Sequence, residues 1–566
     1  MASSSSYDPP ITRRLPPEVL GHIFAHVSPN ELSTLSSAAL VNRDWCKNSV
    51  PYLWSAPFSS VFISENLYKI IPIYLSFLGP ETRSILIPNE ITPPVILQAT
   101  FDYPSMLEEL NFETLYLAVY MWSKHERRQK SVINPMYRSP PSLETLQITA
   151  FDSENEEDPI ISNSMDVVIY HLVTEICKLL MCRSHKIQNL FFKRSGKLRA
   201  VGANADETQL FAWIAVKILD DIPKYPGATY CLRHLRKLIV VASYWIGKPL
   251  LKLSSICHDI VTLEIDDITY RAEESQSTTN ELAALIQNQR NLQNFYFRYS
   301  PLKTTPIFAA LETQAHSLIN IEIDDIDIDM KSMESLTRCK NLETLKLIRL
   351  KCRGKETFKP LAHSRFPKLK NFGIKLTKWS YLADRCNEGL SIEDFNSIIK
   401  NNGKNLQEIR LEVNFKKYST TLGIVGEYCP NLVDVTVGGD FDKVDDLVSL
   451  LKRPLRLHKL TIRGGASSFN GDGVLPPFKE LNAMANLRQF SIDWMISATS
   501  MATLLENWDA PIIHLMFHCE GDTDSHAKII QAYFNDQKNK RMLKDVSFAV
   551  ASDGRDSLIG VGFIEG

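Results

Sequence analysis

The sequence predicts an α/β protein in which a short helical segment precedes a long array of strand–helix repeats. Two observations predict this fold. Apolar residues recur with a period near 28 residues through the second half of the chain, whereas residues 15–54 carry apolar residues at helical spacing. The length of 566 residues also exceeds what one ordinary hydrophobic core holds, so several domains or a repeat array are required.

The repeat consists of an apolar residue, two variable residues, an apolar residue, one variable residue and a third apolar residue. Its twelve occurrences are Leu235–Leu238–Val240, Ile260–Leu263–Ile265, Leu292–Phe295–Phe297, Leu318–Ile321–Ile323, Leu342–Leu345–Leu347, Leu369–Phe372–Ile374, Leu406–Ile409–Leu411, Leu432–Val435–Val437, Leu457–Leu460–Ile462, Leu487–Phe490–Ile492, Ile512–Leu515–Phe517 and Leu543–Val546–Phe548. Their first residues run from 235 to 543 in eleven intervals that average 28 residues. This period is typical of leucine-rich repeats, in which each unit supplies a strand and a helix. Two weaker and more widely spaced candidates are Leu143–Leu146–Ile148 and Ile187–Leu190–Phe192.

Helical faces lie between the predicted strands. They comprise Leu282, Leu285 and Ile286; Phe395, Ile398 and Ile399; Leu447, Leu450 and Leu451; and Ile529, Ile530, Tyr533 and Phe534. One unit cannot bury its own apolar face, so the units are expected to stack into a right-handed, horseshoe-shaped solenoid with parallel strands on the concave side. A doubly wound β-α-β domain also alternates strand and helix. It would not sustain twelve similar units, and no Gly-rich phosphate turn follows a strand here.

The N-terminal segment predicts three short helices. Pro16 and Pro17 suit the first turn of a helix, which needs no donated hydrogen bond there. An apolar stripe follows at Val19, Leu20, Ile23, Phe24 and Val27. Ser28-Pro29-Asn30 ends this helix, and a second apolar face contains Leu32, Leu35, Ala39 and Leu40. About forty residues have too little core to be very stable alone, so their exposed apolar residues favour a partner.

This segment resembles the F-box. The resemblance rests on Leu15-Pro16, Glu18, Ile23-Phe24, Leu32, Val41, Arg43, Trp45 and Trp54. It implies that the chain docks on a Skp-type adaptor, and through it on a cullin and a RING subunit. The residues that would contribute to adaptor binding are Leu15, Pro16, Ile23, Leu32, Val41 and Trp45. Asn42 departs from the family pattern, which often has Cys at this position.

The resemblance covers about forty of the 566 residues. Its position ahead of a repeat array is the usual arrangement in F-box proteins. The segment from Trp54 to about Arg128 looks like the connector of an expanded fungal F-box group.

The alternative for the three N-terminal helices is a hydrophobic cap on the solenoid, which repeat arrays require for solubility. A cap does not need the Leu-Pro start or the spacing of the two tryptophans.

Three cysteines precede strands at one repeated position. Cys257, Cys339 and Cys429 each stand three residues before the first apolar residue of a motif. We expect them to pack as small buried residues at the helix-to-strand corner. They also resemble the cysteines of the cysteine-containing leucine-rich repeats common in F-box proteins.

Together these patterns predict four regions. Residues 1–12 form a disordered lead-in, residues 13–54 the F-box, residues 55–139 a helical connector and residues 140–566 the leucine-rich repeat solenoid.

Composition narrows the functional classes. The 63 Lys and Arg residues nearly balance the 65 Asp and Glu residues, and the net charge of −2 favours neither nucleic acid nor a membrane surface as a partner. The first ten residues contain no apolar core of a secretory signal, and the most apolar stretch, Leu67 to Leu78, is shorter than the roughly 20 residues of a membrane span. Ten scattered cysteines favour a reducing compartment, the cytosol or the nucleus.

No residue cluster predicts catalysis. Cys177, Cys182 and His185 contain the ligand types that zinc prefers, but their spacing matches no common zinc site and they lie on or just beyond an apolar helical stretch. The glycine-containing turns lack the Lys and Ser or Thr of a phosphate-binding loop. We therefore expect no catalytic residues, no metal and no cofactor.

The predicted function is that of the substrate-recognition subunit of a Skp–cullin–F-box ubiquitin ligase, which performs no bond chemistry itself. Two alternatives are a leucine-rich repeat scaffold that does not engage a ligase and an enzyme with a hidden site. The protein target is expected on the concave strand face, at Glu264, Asp266, Tyr296, Arg298, Glu322, Asp324 and Lys346. The acidic residues among them suggest a basic target segment, although acidic rows also occur on ordinary solvated sheet faces.

Overall fold

The computed structural model of the protein forms two compact units. The first comprises Met1–Val241 with Ser255–Ile260, and the second Ala242–Ser254 with Val261–Gly566. The residues that the structure describes are 15–27, 31–59, 66–81, 99–133, 164–193, 205–243, 247–269, 275–300, 302–354, 356–376, 390–415, 417–439, 445–451, 456–464, 486–506, 514–519, 525, 528–529, 532, 546–552 and 555–561. None of the helices in these ranges combines the length and the apolar character needed to cross a membrane.

The first unit begins with helices and continues with short parallel strands. Its helices are α1 (Pro17–Ala25), α2 (Leu32–Ala39), α3 (Arg43–Leu53), α4 (Ile71–Leu75), α5 (Phe112–Ile133), α6 (Ser164–Arg183), α7 (Ala205–Asp221) and α8 (Ala228–Cys231). Its strands are β1 (Glu109–Asn111), β2 (Asn189–Phe192) and β3 (Lys237–Ser243), which starts in this unit. The three strands pair in parallel, with Leu190 opposite Leu110 and Leu238.

The strand β1 lies within the segment predicted as a helical connector. It has only three residues, and its motif Leu107–Leu110–Phe112 is buried but was not among the predicted repeats. The weaker candidate Ile187–Leu190–Phe192 forms β2 and is buried, whereas Leu143–Leu146–Ile148 falls outside the described residues. The four predicted regions and their boundaries stay predictions.

The second unit alternates strands and helices. Its helices are α9 (Gly247–Ser254), α10 (Ser275–Gln287), α11 (Thr304–Thr313), α12 (Met330–Thr337), α13 (Lys359–Ala362), α14 (Ile392–Asn402), α15 (Thr421–Tyr428), α16 (Asp445–Leu451) and α17 (Ala498–Glu506). Its strands are β4 (Thr262–Thr269), β5 (Asn294–Arg298), β6 (Asn320–Asp324), β7 (Asp327–Ile328), β8 (Thr344–Ile348), β9 (Lys351–Cys352), β10 (Asn371–Lys375), β11 (Glu408–Glu412), β12 (Asp434–Gly439), β13 (Lys459–Gly464), β14 (Gln489–Ile496), β15 (His514–Cys519), β16 (Val546–Ser552) and β17 (Arg555–Val561).

The strands of the second unit form a parallel sheet in chain order. The order is β4, β5, β6, β8 and β10 to β16, and β17 closes the sheet antiparallel to β16. The strands β7 and β9 form a separate parallel pair. Parallel strands that follow one another along the chain, with helices between them, confirm the predicted α/β repeat array.

The strand register places the motif residues of neighbouring repeats side by side. Leu345 lies opposite Ile321 on one side and Phe372 on the other. In the ten motifs from Leu235 to Ile492, every apolar motif residue is at most 2% exposed. The last two motifs extend partly outside the described residues, as does the predicted helical face around Ile529. The other three predicted helical faces are buried, which confirms the period of the array.

The three corner cysteines are fully buried, as predicted. Burial raises the pKa of Cys257, Cys339 and Cys429 to about 12, so the thiols stay protonated and pack as small apolar groups. The corner at Cys429 is tight. A β-carbon on the neighbouring Gly403 would come within 2.7 Å of the Cys429 sulfur and 2.6 Å of the Tyr428 carbonyl oxygen.

Asparagine side chains tie successive repeats together at the same corners. Asn341, Asn405 and Asn431 each directly precede the first apolar residue of a motif. Their amide Nδ2 atoms donate to backbone carbonyl oxygens of the preceding repeat, at His316 (2.9 Å), Pro367 (2.8 Å) and Lys404 (2.9 Å). An Asn-Leu pair that recurs in the sequence could have indicated these hydrogen bonds. The apolar motif does not include the asparagine, so the motif alone did not predict them.

We expect Asn431→Ala to lower the free energy of unfolding by about 1 kcal/mol, because the Lys404 carbonyl loses its amide donor. Urea unfolding of the full chain measures the loss. The matched control is Lys404→Ala, which shortens an exposed side chain at the same corner and leaves the bond in place. Equal losses in the two variants would show that the bond adds nothing to the stability of the array.

Candidate functional site

The N-terminal helices fold around a small core. Leu20 and Phe24 of α1 pack with Leu35 and Ala38 of α2, and all four are buried. The Trp45 ring of α3 meets the Phe24 ring edge-on, with 5.6 Å between centroids. Val27, Leu32, Tyr52 and Leu53 complete the cluster as half-buried neighbours.

Asn42 caps the third helix. Its side-chain Oδ1 accepts hydrogen bonds from the backbone N–H groups of Asp44 and Trp45, both at 2.9 Å. Such a cap contributes about 1 kcal/mol to helix stability. The one residue that departs from the F-box pattern therefore has a structural role, since it fixes the start of the helix that carries Trp45.

Apolar side chains remain on the outside of this helical segment. Their exposed fractions are 44% for Leu15, 41% for Val19, 44% for Ile23, 88% for Leu40 and 58% for Val41. We call these five residues the apolar ridge. Val19 and Ile23 lie one helical turn apart on α1 and follow Leu15 at the same spacing. Apolar surface concentrated on so small a segment is typical of a protein-binding site.

The six residues predicted to bind an adaptor differ in how exposed they are. Leu15, Pro16, Ile23 and Val41 are exposed, whereas Leu32 and Trp45 lie against the core. The single apolar stripe predicted for α1 is divided in the same way, because Leu20 and Phe24 point inward while Val19 and Ile23 point outward. Leu32 and Trp45 are half-buried and also support the helices, and adaptor binding by the six residues stays a prediction.

The end of the helical segment is anchored within the first unit. The ring of Trp54 packs against that of Tyr103 at an angle of 34°, with 4.1 Å between centroids. The backbone N–H groups of Glu108 and Glu109 donate to the Ser55 carbonyl oxygen at 2.8 and 2.9 Å. These contacts join the segment to β1.

The strand face of the second unit is the surface formed by the outward side chains of β4 to β13, which alternate with the buried motif residues. All seven residues predicted to bind a target lie on it. Glu264, Tyr296, Glu322 and Lys346 form one row across four neighbouring strands, and Arg298 lies opposite Asp324.

Arg298 lies close to three carboxylates of this face. Its guanidinium contacts Glu264 Oε1 at 3.0 Å and Glu322 Oε1 at 2.9 Å, and Asp266 Oδ2 lies 3.9 Å away. Burial disfavours the charge of Arg298, but Glu322 and Glu264 outweigh burial and raise its pKa. The guanidinium also lies 5.5 Å from the Tyr296 ring centroid.

A second arginine pairs the remaining carboxylate. Arg349 directly follows β8 in the left-handed region, at a φ of 49°. Its guanidinium donates two hydrogen bonds to the Asp324 carboxylate, at 2.6 and 2.7 Å, and one to the Tyr299 hydroxyl at 2.5 Å. These hydrogen bonds raise the pKa of Arg349. Sequence periodicity missed Arg349 because it lies outside the strand.

The acidic strip is therefore paired within the chain. Four carboxylates, at Glu264, Asp266, Glu322 and Asp324, face two arginines that contact all of them. These contacts link β4, β5, β6 and the residue that follows β8. The binding of a basic target segment at this strip stays a prediction.

A different charge cluster lies further along the face. The carboxylate of Glu412 on β11 is 5% exposed and contacts Lys375, Arg410 and Arg463. The Arg410 Nη2 atom lies 2.6 Å from it, and Arg463 Nη1 lies 3.3 Å from it. Burial alone raises the pKa of Glu412, but hydrogen bonds from Lys375 and Arg410 outweigh it and hold the pKa below its usual value.

The cysteines considered as zinc ligands have different surroundings. Cys177 is fully buried in α6, and burial raises its pKa, whereas Cys182 is exposed. Across the described parts of the chain, no three His, Cys, Asp or Glu residues are grouped to hold a metal ion.

Comparisons with known proteins agree with the N-terminal resemblance. The family model for F-box-like domains matches residues 12–60, which assigns an F-box-like domain to this segment. The crystal structure of the Rad7 and Elc1 complex from yeast is similar over 68% of this chain and 90% of that chain, at 13% identity and a TM-score of 0.40. An internalin (inlF) from Listeria monocytogenes is similar over 55% of this chain and 86% of its own, at 14% identity and a TM-score of 0.27. No curated protein matches the chain in sequence.

Proposed function

We propose that the chain is the substrate-recognition subunit of a Skp–cullin–F-box ubiquitin ligase, in a fungal-type F-box and leucine-rich repeat family. The observation that carries this proposal is the F-box-like segment at residues 12–60, which folds on its own core and yet exposes the apolar ridge. Apolar side chains that the segment itself leaves exposed gain most by burial against another protein.

In this proposal the ridge docks on a Skp-type adaptor. Leu15, Pro16, Ile23 and Val41 contact the adaptor directly, and Leu32 and Trp45 contribute through their exposed edges. The adaptor joins the chain to a cullin and a RING subunit. The core beneath the ridge holds these side chains in place, which limits the entropy lost on binding.

The strand face binds the protein target. The residues proposed for it are Glu264, Asp266, Tyr296, Arg298, Glu322, Asp324 and Lys346, which the register brings into neighbouring rows. The chain itself makes and breaks no bond. It raises the effective concentration of target lysines near the ubiquitin-loaded enzyme that the RING subunit recruits. The proposed location is the cytosol or the nucleus, which the scattered cysteines of the sequence favour.

The test is the affinity of the purified full chain for a purified Skp-type adaptor, measured by calorimetry. We expect replacement of Leu15 and Pro16 by Ala to weaken binding by roughly tenfold or more, because truncating central apolar contacts typically costs more than 1 kcal/mol. The control is Leu251→Ala, which removes an apolar side chain, 50% exposed, from the second unit.

Undiminished adaptor binding by the double variant would exclude the start of the ridge as the docking surface. If the wild-type chain did not bind the adaptor at all, the chain would be a leucine-rich repeat scaffold that does not engage a ligase.

A further inference from the structure

Two glycines lie on the strand face at positions where most strands carry side chains, and Gly373 leaves a gap there. Gly373 on β10 lies between Lys346 and Arg410 in the register. A β-carbon at Gly373 would lie 3.3 Å from Lys346 Cγ and 3.8 Å from Arg410 Cβ. Gly438 on β12 lies opposite Glu412 and Arg463, and a β-carbon there would lie 3.2 and 3.0 Å from their side-chain atoms. The gap at Gly373 is therefore bordered by Lys346 and Arg410, whereas Arg463 and Glu412 crowd the space over Gly438.

The side chains around these two glycines are mainly cationic. We define the cationic strip as Lys346, Gly373, Lys375, Arg410, Gly438 and Arg463. Its four cations face one carboxylate, that of Glu412, which contacts three of them. Lys346 makes no ion pair with any residue in the described ranges.

The other charged side chains on the outward face of β11 to β13 do not cancel the excess positive charge of the cationic strip. Lys459 pairs with Asp434 at 3.0 Å, and Glu408 lies at the outer edge in the row of Asp434. The polarity is opposite to that of the region from Glu264 to Asp324, where four carboxylates exceed two arginines.

We infer that the cationic strip binds an extended acidic segment of a protein, and the identification of that protein as the ligase target rests on the proposed function. The strip spans β8 and β10 to β13, four strand spacings of about 4.8 Å, so a crossing segment of about six extended residues covers it. Arginine forms strong paired hydrogen bonds with carboxylates. The gap at Gly373 lets the backbone of the segment approach the sheet closely at that strand.

The outward residues favour a peptide over a single-stranded nucleic acid. Binding of unpaired bases relies on aromatic side chains for stacking. The outward positions of β8, β10, β11, β12 and β13, all within the described residues, carry no aromatic side chain. Polar and charged groups predominate there, which suits the carboxylates and backbone groups of an acidic peptide.

Fluorescence anisotropy of the full chain with a labelled polyglutamate peptide, long enough to cross the strip (about eight residues), tests the inference. We expect binding that weakens as salt is added, because charge pairing at a surface is screened. Replacement of both Lys346 and Arg463 by Glu should weaken binding at least tenfold. These two residues lie at opposite ends of the strip, and Lys375 and Arg410, which hold Glu412 most closely, are left intact.

The matched control replaces Lys331 and Lys404 by Glu, which gives the same charge change at exposed positions away from the strand face. A second variant, Gly373→Val, fills the gap without changing charge, and a β-branched residue suits a strand. We expect the control to bind as the wild type does and Gly373→Val to bind several-fold more weakly.

Three results would overturn the inference. These are failure of the wild-type chain to bind the peptide, unchanged binding by both strip variants, and tighter binding of a thymidine oligonucleotide that the same variants abolish. Adaptor affinity is measured on the same proteins. Peptide binding without adaptor binding would refute the ligase proposal and support the cationic strip as a peptide site. Adaptor binding without peptide binding would refute the peptide site and support the ligase proposal.

Discussion

Leu345→Ala is expected to lower the free energy of unfolding of the full chain by about 2–5 kcal/mol. Leu345 is fully buried on β8, and its register partners Ile321 and Phe372 belong to the repeats on either side. Both neighbours are fixed by further strands, so they cannot move together to fill the cavity that truncation leaves. Urea unfolding followed by far-ultraviolet circular dichroism measures the loss.

The matched controls are Thr344→Ala and Lys346→Ala. These residues flank Leu345 on the same strand, and their side chains point to the opposite face. We expect changes within about 0.5 kcal/mol, as for most surface substitutions. Equal losses at Leu345 and Lys346 would contradict the strand register and, with it, the strand face.

Glu412→Gln is expected to destabilise the protein by about 1.5–3 kcal/mol at neutral pH, in the range of hydrogen bonds to charged groups. The substitution keeps the size of the side chain but leaves Lys375, Arg410 and Arg463 around a neutral amide. The control is Glu408→Gln on the same strand, since Glu408 makes no ion pair with a residue in the described ranges. We expect little change there.

The effect of Glu412→Gln also depends on pH. Burial raises the pKa of Glu412, but Lys375 and Arg410 lower it further than burial raises it, so the folded-state pKa lies below the ordinary value of 4.5. The carboxylate therefore stabilises the fold fully above pH 4.5, and this contribution is lost as the pH falls through the depressed pKa. The stability difference between wild type and variant should shrink on acidification. A difference independent of pH would show that the charge of Glu412 does not matter.

The strands and core of the array were predictable because two periods coincide. Side chains alternate along a strand, and the motif recurs about every 28 residues. Together these two periods predict that residues such as Leu345 and Leu347 lie in the core. The ends of the sheet were less predictable. The β1 motif, Leu107–Leu110–Phe112, lies far ahead of the regular series that starts at Leu235, and β17 pairs antiparallel to β16, which no repeat period indicates.

The surface was predictable only in part. Sequence alternation placed Glu264, Glu322 and Asp324 on the strand face correctly, but it could not show that Arg349 turns back to Asp324 after the strand ends. The gap at Gly373 depends on which side chains stand in the neighbouring strands. Such contacts join residues from different repeats, and the sequence of one repeat does not contain them.

Prediction from the sequence was limited in the same way for the N-terminal segment. Val19 and Leu20 are adjacent in one apolar stripe, and helical spacing alone does not decide which of them faces α2 and α3. Packing of the three helices buries Leu20 and exposes Val19. Trp45, predicted as a contact residue, lies against Phe24 because Asn42 fixes the start of its helix.

The most direct test of the central claim is hydrogen–deuterium exchange of the full chain with and without a purified Skp-type adaptor. The claim is that the apolar ridge docks on the adaptor while the strand face stays free for a target. We expect slower exchange in α1 and in residues 40–45, and unchanged exchange in β4 to β13. Protection of the strands by the adaptor, or none in the N-terminal helices despite binding, would contradict the claim.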